Sequence, residues 1–592
     1  MEKIVGLKTL LKKSWRRNMP NKTEEQQALN RDERAKEKLN EGSAWMSIAS
    51  VISRILGVLY IIPWMRWIGD PHTGTQANAL YSIGYNYYSI FLSIAIAGVP
   101  AAISKQMTNY MARGQYGTSQ RLFKSGTVMM TVTGLVCALV LYLAAPVLSK
   151  NLPAASEEEV VLVIRSLVPA LALIPVLSIF RGFFQAYLEM KPSAVSQVTE
   201  QIARVFYMLL TVYLIRKVLD GSVATAVAHS TFAAFIGAFV AILTLGYYYW
   251  RGRSYYQVPE GYVDTNPVST RSLLLEIFKI AIPFVITGSI IEMINLVDMN
   301  PYIPIMQRVS GLSHDQLVYE YGVFNANARR VIQIILSFAT AISSTTVPVV
   351  TDTYIRELTH VPVEKLSAQE MKKTFQKTRE VILHTLNLFA LVMLPASLGL
   401  ALVAGPIYQL LYGVYDPLGE WYLQISCLMA IPMGLFYVLV MTLQSMDEQK
   451  KAMFGIVLGV GMKLLIQFPL LGVFGSEGAM YASLLAFVYM CAYYFMVIHG
   501  RVNLSAQAVI KRLLGAFKAS GWMVLGGGLL LILMKGWVGP TNRLGALIEL
   551  AVIGLLGGWI YILSIAKSQQ LDVVLGTKKA ARIRQFLQIE TK

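Results

Sequence analysis

The segment QAYLEMK at residues 185–191 is matched in the second half of the chain by QSMDEQK at residues 444–450. At the same offset Arg204 falls on Lys463, so the correspondence continues into the run that follows each segment. Matches that share both their order and their offset indicate an internal repeat. The sequence therefore predicts two related halves.

Apolar runs surround both segments and recur along the whole chain. A membrane-spanning helix needs about 20 apolar residues, because the hydrocarbon core is about 30 Å thick and a helix rises about 1.5 Å per residue. Hydrophobic residues make up 55% of the 592-residue chain and charged residues 15%, which excludes a soluble globular protein. We predict fourteen spans, at residues 44–66, 80–103, 123–147, 160–184, 195–216, 223–249, 273–298, 323–350, 381–404, 421–443, 453–473, 478–499, 517–537 and 544–566.

These spans predict an all-α polytopic membrane protein with two pseudo-symmetric six-helix lobes and two C-terminal helices. Six crossings leave both lobes facing the same way, so the axis that relates them runs along the membrane normal. Transporters built in this way place their substrate site between the halves. The predicted divisions are a basic, partly disordered extension at 1–43, an N-lobe at 44–250, a linker at 251–272, a C-lobe at 273–500, two final helices at 501–567 and a tail at 568–592.

The distribution of basic residues predicts the orientation of the chain. The net charge is +18, and the Lys and Arg residues are concentrated in alternate connections, such as those after spans two, six and eight. Connections of this kind face the cytoplasm, so both termini are expected inside. The charge therefore reflects membrane topology, and no nucleic-acid partner is expected. The extension at 1–43 is predicted either to lie as an amphipathic helix on anionic lipids or to be a disordered tail.

Arg54 is the clearest candidate for a functional residue within a span. It lies near the middle of the first span, about ten residues from each end, where an ionisable group is costly unless it faces a cavity or a partner. Two interpretations are open. Arg54 either lines a polar cavity or forms an internal ion pair with Glu292 or Glu200.

Arg329 and Arg330 are predicted to begin the eighth span together. Guanidinium groups keep their charge and present forked donors that suit phosphate oxygens. The pair either holds an anionic headgroup or anchors the helix end at the membrane interface. Glu292 and Asp298 on span seven would balance these charges or bind a coupling cation, although their spacing places them on nearly opposite helical faces.

The other polar residues give no sign of catalysis or of a metal site. The cysteines and histidines lack the spacing of metal ligands. A membrane-embedded glycosyltransferase would need clustered carboxylates or histidines near one membrane face, so we predict a transporter and not an enzyme. Arg165, Arg181 and Arg204 lie nearer to span ends and are expected either to lie at the membrane interface or to pair with Glu189 and Glu200.

The first two spans resemble a known family. The stretches SRILG at 53–57, YIIP at 60–63, ALYSIGY at 79–85 and FLSIAIAGVP at 91–100 are similar to the first two helices of the MurJ and SpoVB/YtgP flippases. These belong to the multidrug/oligosaccharidyl-lipid/polysaccharide (MOP) exporter superfamily. The likeness covers residues 44–566 and is greatest to the Gram-positive YtgP branch.

The resemblance implies a flippase of the bacterial cytoplasmic membrane. Its substrate would be lipid II, the peptidoglycan precursor linked to undecaprenyl pyrophosphate, carried from the inner to the outer leaflet by alternating access. Arg54 corresponds to a first-helix arginine and Arg329 to an eighth-helix arginine of a cationic cavity for the pyrophosphate, with Arg330 as a third group. The lipid tail would lie in a groove beside the helices at 501–567. No cofactor is implied; a membrane potential or ion gradient would drive the cycle, and cell-wall synthesis machinery would be a partner.

Two departures from the family pattern leave other substrates open. Two further arginines of Gram-negative relatives correspond here to Tyr60 and to the neighbourhood of Leu92 and Ser93, so the cavity is less cationic. Another undecaprenyl-linked polysaccharide or a spore-wall precursor is therefore an alternative substrate, and a drug–cation antiporter is a third hypothesis. The sodium site of some members uses an eleventh-helix carboxylate, which span eleven lacks, so that site is not predicted.

Overall fold

The computed structural model describes residues 45–46, 49, 52–53, 55–96, 99–154, 156–187, 189–257, 269, 289–358, 373–535, 543–568, 570–572 and 577–586. The predicted extension at 1–43, Arg54 and most of the linker at 251–272 lie outside the described residues, as does the first part of span seven.

The N-lobe is formed by consecutive helices joined by short connections. Ser156 caps one of them by accepting a hydrogen bond from the amide of Glu159, and Ser222 caps another through the amide of Thr225. The helices are α1 (Ile61–Ile68), α2 (Pro71–Ile96), α3 (Val99–Ala112), α4 (Tyr116–Leu148), α5 (Glu157–Ala186), α6 (Met190–Tyr213), a π-helical turn (Leu214–Val218), α7 (Val223–Arg251) and α8 (Arg253–Tyr256).

The C-lobe repeats this organisation and is followed by further helices. Its elements are α9 (Ile290–Val309), α10 (His314–Tyr321), a π-helical segment (Gly322–Ala328), α11 (Arg329–Leu358), α12 (Gln376–Leu402), α13 (Ala404–Tyr412), α14 (Pro417–Ser445), α15 (Gln449–Phe474) and α16 (Ser476–Val502). The chain continues through α17 (Ala506–Lys535), α18 (Arg543–Lys567) and α19 (Thr577–Phe586). α17 and α18 pack on each other, and they contact the C-lobe through α12 and α13.

Within the described ranges, eleven helices are long and apolar enough to cross a membrane. The other three predicted spans coincide with the helical residues around α1, with α2 and with α9, so the fold prediction is confirmed. Four predicted boundaries are wrong by nine residues or more. Helix α9 continues to Val309, beyond the predicted end of span seven, and α17 begins at Ala506, before the predicted start of span thirteen. Span two begins at Pro71, and span eight is part of one helix over His314–Leu358. The residues added at these ends are polar and pack between the lobes, so hydropathy underestimates both helices.

The repeated segments at 185–191 and 444–450 make equivalent contacts. The carboxylate of Glu189 accepts a hydrogen bond from the hydroxyl of Tyr256, which lies in α8 at the end of the N-lobe. The carboxylate of Glu448 pairs with Arg501, in the last helix of the C-lobe. Each segment therefore ties the middle of its lobe to the end of that lobe, as expected for a repeated bundle.

A polar seam joins the two lobes. Nδ2 of Asn78 on α2 donates to Oδ1 of Asn327 at 2.6 Å, and Nδ2 of Asn327 donates to the hydroxyl of Tyr408 at 2.8 Å. Beside them, a Cβ atom at Gly322 would lie only 2.7 Å from the carbonyl oxygen of Thr75. Glycine is required for this close approach, so the backbones of the two lobes are in contact along the seam.

The connection between α1 and α2 lies on the same side of the molecule as the seam. Asp70 accepts hydrogen bonds from the hydroxyl of Thr73 at 2.6 Å and from the amides of Thr73 at 3.1 Å and His72 at 2.9 Å. These bonds, that of the Thr73 hydroxyl above all, lower the pKa of the Asp70 carboxyl. The carboxylate thus fixes the start of α2 and aims its first turn at the C-lobe.

Candidate functional site

A polar cavity of about 360 Å³ lies between the lobes. Helices α2 and α6 and the residues before α1 form its N-lobe wall, while α9, the π-helical segment and the start of α11 form its C-lobe wall. The lining residues are Gly57, Tyr60, Tyr81, Ser82, Tyr85, Asn86, Ser89, Gln201, Arg204, Val205, Met208, Glu292, Asn295, Asn325, Ala326, Arg329, Arg330 and Gln333.

The spacing of these residues explains why they share one cavity. Positions 81, 85 and 89 on α2 are four residues apart, as are 201 and 205 on α6, so each set lies on one helical face. The segment Gly322–Ala328 changes the register of its helix just before the two arginines, because a π-helical turn contains more residues than an α-helical one. The sequence thereby brings polar side chains from both lobes to one place.

Arg329 lies in the C-lobe wall of the cavity and is only 9% exposed. Its Nη2 atom is 3.8 Å from Oδ2 of Asp298, while its Nη1 atom is buried without a hydrogen-bond partner among the described residues. Buried N–H groups without partners are rare in folded proteins. The arrangement therefore offers a donor to an anion in the cavity.

Arg330 faces the opposite wall across the lobe interface. Its guanidinium lies 5.0 Å from the ring centre of Tyr81 and 5.7 Å from that of Tyr60, and its Nη1 atom donates to the Tyr60 hydroxyl at 3.0 Å. Cation–π contacts hold a guanidinium in place without neutralising it. Tyr60 and Tyr81 thus hold the charged guanidinium group of Arg330 at the cavity.

Arg204 is a third cation in the cavity. Its guanidinium lies 5.3 Å from the ring centre of Tyr85 and donates to the Tyr85 hydroxyl. The expected pairing of Arg181 with Glu200 is present, at 2.7 Å. Arg204, however, lines the cavity and is not a span-end residue. Hydropathy did not predict this position because it gives no information on which helical face points inward.

Asp298 and Glu292 occupy different positions around Arg329. Glu292 lines the cavity, whereas Asp298 lies behind Arg329 and forms a 2.6 Å ion pair with the fully buried Lys463. Lys463 was considered in the sequence only as the repeat counterpart of Arg204. Lys463 lies near the middle of span eleven, just as Arg54 lies near the middle of span one. This mid-span position was the sequence signal for a buried charge.

The structure brings most of the predicted site residues together. Arg329, Arg330 and Glu292 line one cavity, and Asp298 touches one of its walls. Arg54 lies outside the described residues, although Gly57 three positions later lines the cavity. Arginines contributed by both lobes make the cavity chemically suited to an anionic group, because guanidinium N–H groups bind phosphate oxygens with charge-assisted hydrogen bonds.

Comparison with known proteins places these features in a family. The family described as "Polysaccharide biosynthesis protein" matches residues 39–354, and that described as "Lipid II flippase MurJ" matches residues 358–543. The lipid II flippase MurJ of Bacillus subtilis (strain 168) is 30% identical over 559 residues, which cover 91% of this chain and 97% of the relative.

Solved structures show the same fold. A lipid II flippase MurJ in an inward closed conformation aligns with a TM-score of 0.56 at 12% identity, over 88% of this chain and 98% of its own. An inward-facing multidrug resistance MATE family transporter of the MOP superfamily aligns with a TM-score of 0.56 at 12% identity, over 76% of this chain and 96% of its own. The two-lobed helical fold, the sequence identity and its extent agree: the chain belongs to the MurJ family of lipid II flippases.

Proposed function

We propose that this protein carries lipid II from the inner to the outer leaflet of the bacterial cytoplasmic membrane, with the pyrophosphate held in the cavity between the lobes. The single observation that supports this most is the meeting of Arg204, Arg329 and Arg330, from both lobes, in one polar cavity. The Bacillus subtilis relative that matches along 97% of its length is a lipid II flippase.

The physical problem of the reaction is the transfer of a large anionic headgroup through hydrocarbon. Burying an unpaired charge in an apolar medium has a very high free-energy cost. A cavity lined by guanidinium groups and polar side chains replaces the lost water, and the undecaprenyl tail stays in lipid. Apolar side chains such as Leu525, Ile532 and Leu555 on α17 and α18 are largely exposed and offer a surface for that tail.

Alternating access explains why the cavity lies between two lobes. With both termini in the cytoplasm, the seam of Asn78 and Asn327 closes the outer side of the cavity. Because the seam closes that side, the lobes must separate there to release the headgroup after it has entered from the other side. Arg54 completes the cationic site in this proposal, since it lies three positions before the cavity residue Gly57 in the sequence.

The substrate assignment is tested in cells whose other lipid II flippases have been deleted. Depletion of this protein should stop growth and make lipid II accumulate on the inner leaflet, whereas the wild-type gene should restore both. Arg54→Ala should fail to restore growth at normal protein abundance. Accumulation of a different lipid-linked precursor, with lipid II unchanged, would assign the protein to another polysaccharide and disprove this proposal.

Membrane potential is proposed to reset the empty protein. The electric field favours one orientation of a cavity that carries excess positive charge. Moving one elementary charge through a potential of 100 mV changes its free energy by about 2.3 kcal/mol. A cysteine at Ser89 on the cavity wall, in a variant lacking the native cysteines, should change its maleimide labelling rate when an ionophore collapses the potential. A cysteine at the exposed Ser222 serves as the control. Equal ionophore effects at both positions would contradict the proposal.

A further inference from the structure

Lys463 is a fully buried lysine inside the C-lobe that the proposed transport cycle does not use. It lies on α15 and is 0% exposed. Its Nζ atom donates to Oδ1 of Asp298 on α9 at 2.6 Å, to Oγ of Ser483 on α16 at 2.6 Å and to the carbonyl oxygen of Ala479 at 3.3 Å. All three N–H groups of the ammonium therefore have partners, and the lysine is a fixed cation in an oxygen-lined site.

Asp298 lies between this fixed cation and the cavity. Its Oδ1 atom also accepts a hydrogen bond from Nε2 of Gln467 at 3.2 Å, and its Oδ2 atom accepts one from Oγ of Ser483 at 3.4 Å. The same Oδ2 atom is 3.8 Å from Nη2 of Arg329. The carboxylate is shared unequally, because its short contact is with Lys463 and its longer contact is with Arg329.

The packing around Arg329 leaves it only loosely held by Asp298. A void of about 10 Å³, bordered by both side chains together with Ser426 and Ser483, lies at this contact. The other guanidinium nitrogen, Nη1, has no hydrogen-bond partner among the residues that the structure describes. Asp298 thus neutralises Arg329 in part, and the remaining charge is directed at the cavity.

We propose that Lys463 is a positioning residue: it neutralises Asp298 and so leaves the charge of Arg329 available to an anionic headgroup. This inference rests on the proposed binding of pyrophosphate by Arg329. Opposite charges attract strongly where water is excluded. Without Lys463, the nearest cation to Asp298 is Arg329, and an anion entering the cavity has to compete with that carboxylate for the guanidinium.

The internal repeat supports a role in the same site. Lys463 occupies in the C-lobe the position that Arg204 occupies in the N-lobe. Arg204 reaches the cavity directly, whereas Lys463 reaches it through Asp298. Each lobe therefore places a basic residue at the same point of its fifth span, on α6 and on α15, and both residues act on the cavity between the lobes.

The test is a charge cycle on the purified full-length protein, with inorganic pyrophosphate as the probe and calorimetric titration as the measurement. Lys463→Met should weaken pyrophosphate binding about tenfold, within the usual range of coupling between two sites. The double variant Lys463→Met/Asp298→Asn should regain the wild-type affinity, because the competing carboxylate has been removed. Ser483→Ala, which removes a neutral hydrogen bond to Lys463 and keeps both charges, should bind as the wild type does.

The outcomes distinguish an effect of the Lys463 charge on pyrophosphate binding from an effect of its packing. An unchanged affinity in Lys463→Met overturns the inference, and so does an equal loss in the single and double variants. If Lys463→Met does not fold, Lys463→Gln removes the same charge while keeping polar contacts, and the same tenfold loss is expected. Failure of the wild-type protein to bind pyrophosphate, with lipid II transport intact, would instead refute the proposed role of Arg329.

Discussion

Replacing Arg329 by alanine should reduce lipid II translocation about a hundredfold while the protein remains folded, since hydrogen bonds to a charged group contribute about 1.5–3 kcal/mol each. The variant loses a forked donor directed at the cavity, and it leaves Asp298 paired with Lys463 at 2.6 Å. No buried charge becomes unpaired, so stability should change little. The measurement is the initial rate of lipid II appearance on the outer surface of spheroplasts, divided by protein abundance.

Two further variants define the cause of this loss. Arg329→Lys keeps the charge and loses the forked geometry, so an intermediate rate is expected. Arg251→Ala removes an exposed arginine at the end of α7 and should translocate at the wild-type rate. A normal rate for Arg329→Ala, or an equal loss in Arg251→Ala, would show that the cavity charge of Arg329 is not needed.

Replacing Asp298 by alanine should destabilise the protein by about 3–5 kcal/mol, because it leaves the buried ammonium of Lys463 without its counter-charge. The side chain of Lys463 is 0% exposed, so solvent cannot compensate. The midpoint of thermal unfolding in detergent should fall, and the amount of protein in membranes should fall with it. Adding Lys463→Met to Asp298→Ala should restore most of the loss, since no buried charge then remains unpaired.

The matched control for Asp298 is another carboxylate in an ion pair. Asp352 pairs with Arg356 at 2.9 Å, but the two side chains are 57% and 77% exposed. Exposed pairs of this kind contribute about 0–1 kcal/mol, so Asp352→Ala should unfold at nearly the wild-type temperature. If Asp298→Ala is as stable as Asp352→Ala, the pair with Lys463 does not hold the C-lobe together.

The fold was predictable from sequence because crossing a bilayer requires long apolar runs, and because the matched segments at 185–191 and 444–450 show the two halves directly. A span needs about 20 apolar residues whatever its neighbours are. The errors occur where this reasoning does not apply. The start of α2 at Pro71 and the helix that begins at His314 are polar because they pack against the other lobe, and hydropathy scores such residues as connections.

The site was predictable only in part. Hydropathy indicates how deep a residue lies in the membrane, but it does not indicate which way the side chain points. Arg329 and Arg330 were identified by charge, but their place in one cavity between the lobes could be found only from the structure. Arg204 was misassigned because its inward direction depends on how α6 packs on α2. Lys463 has the same mid-span position as Arg54, and its partner Asp298 could be found only from the contact between α9 and α15.

The most direct test of the central claim is translocation of fluorescent lipid II by the purified protein in proteoliposomes of bacterial lipids. The measured quantity is the fraction of lipid II that becomes accessible to a quencher from the opposite leaflet, compared among wild type, Arg329→Ala and protein-free vesicles. We predict fast translocation by the wild type and a rate near that of protein-free vesicles for Arg329→Ala. Equal rates for wild-type and protein-free vesicles, or for wild type and Arg329→Ala, would contradict translocation through the arginine-lined cavity.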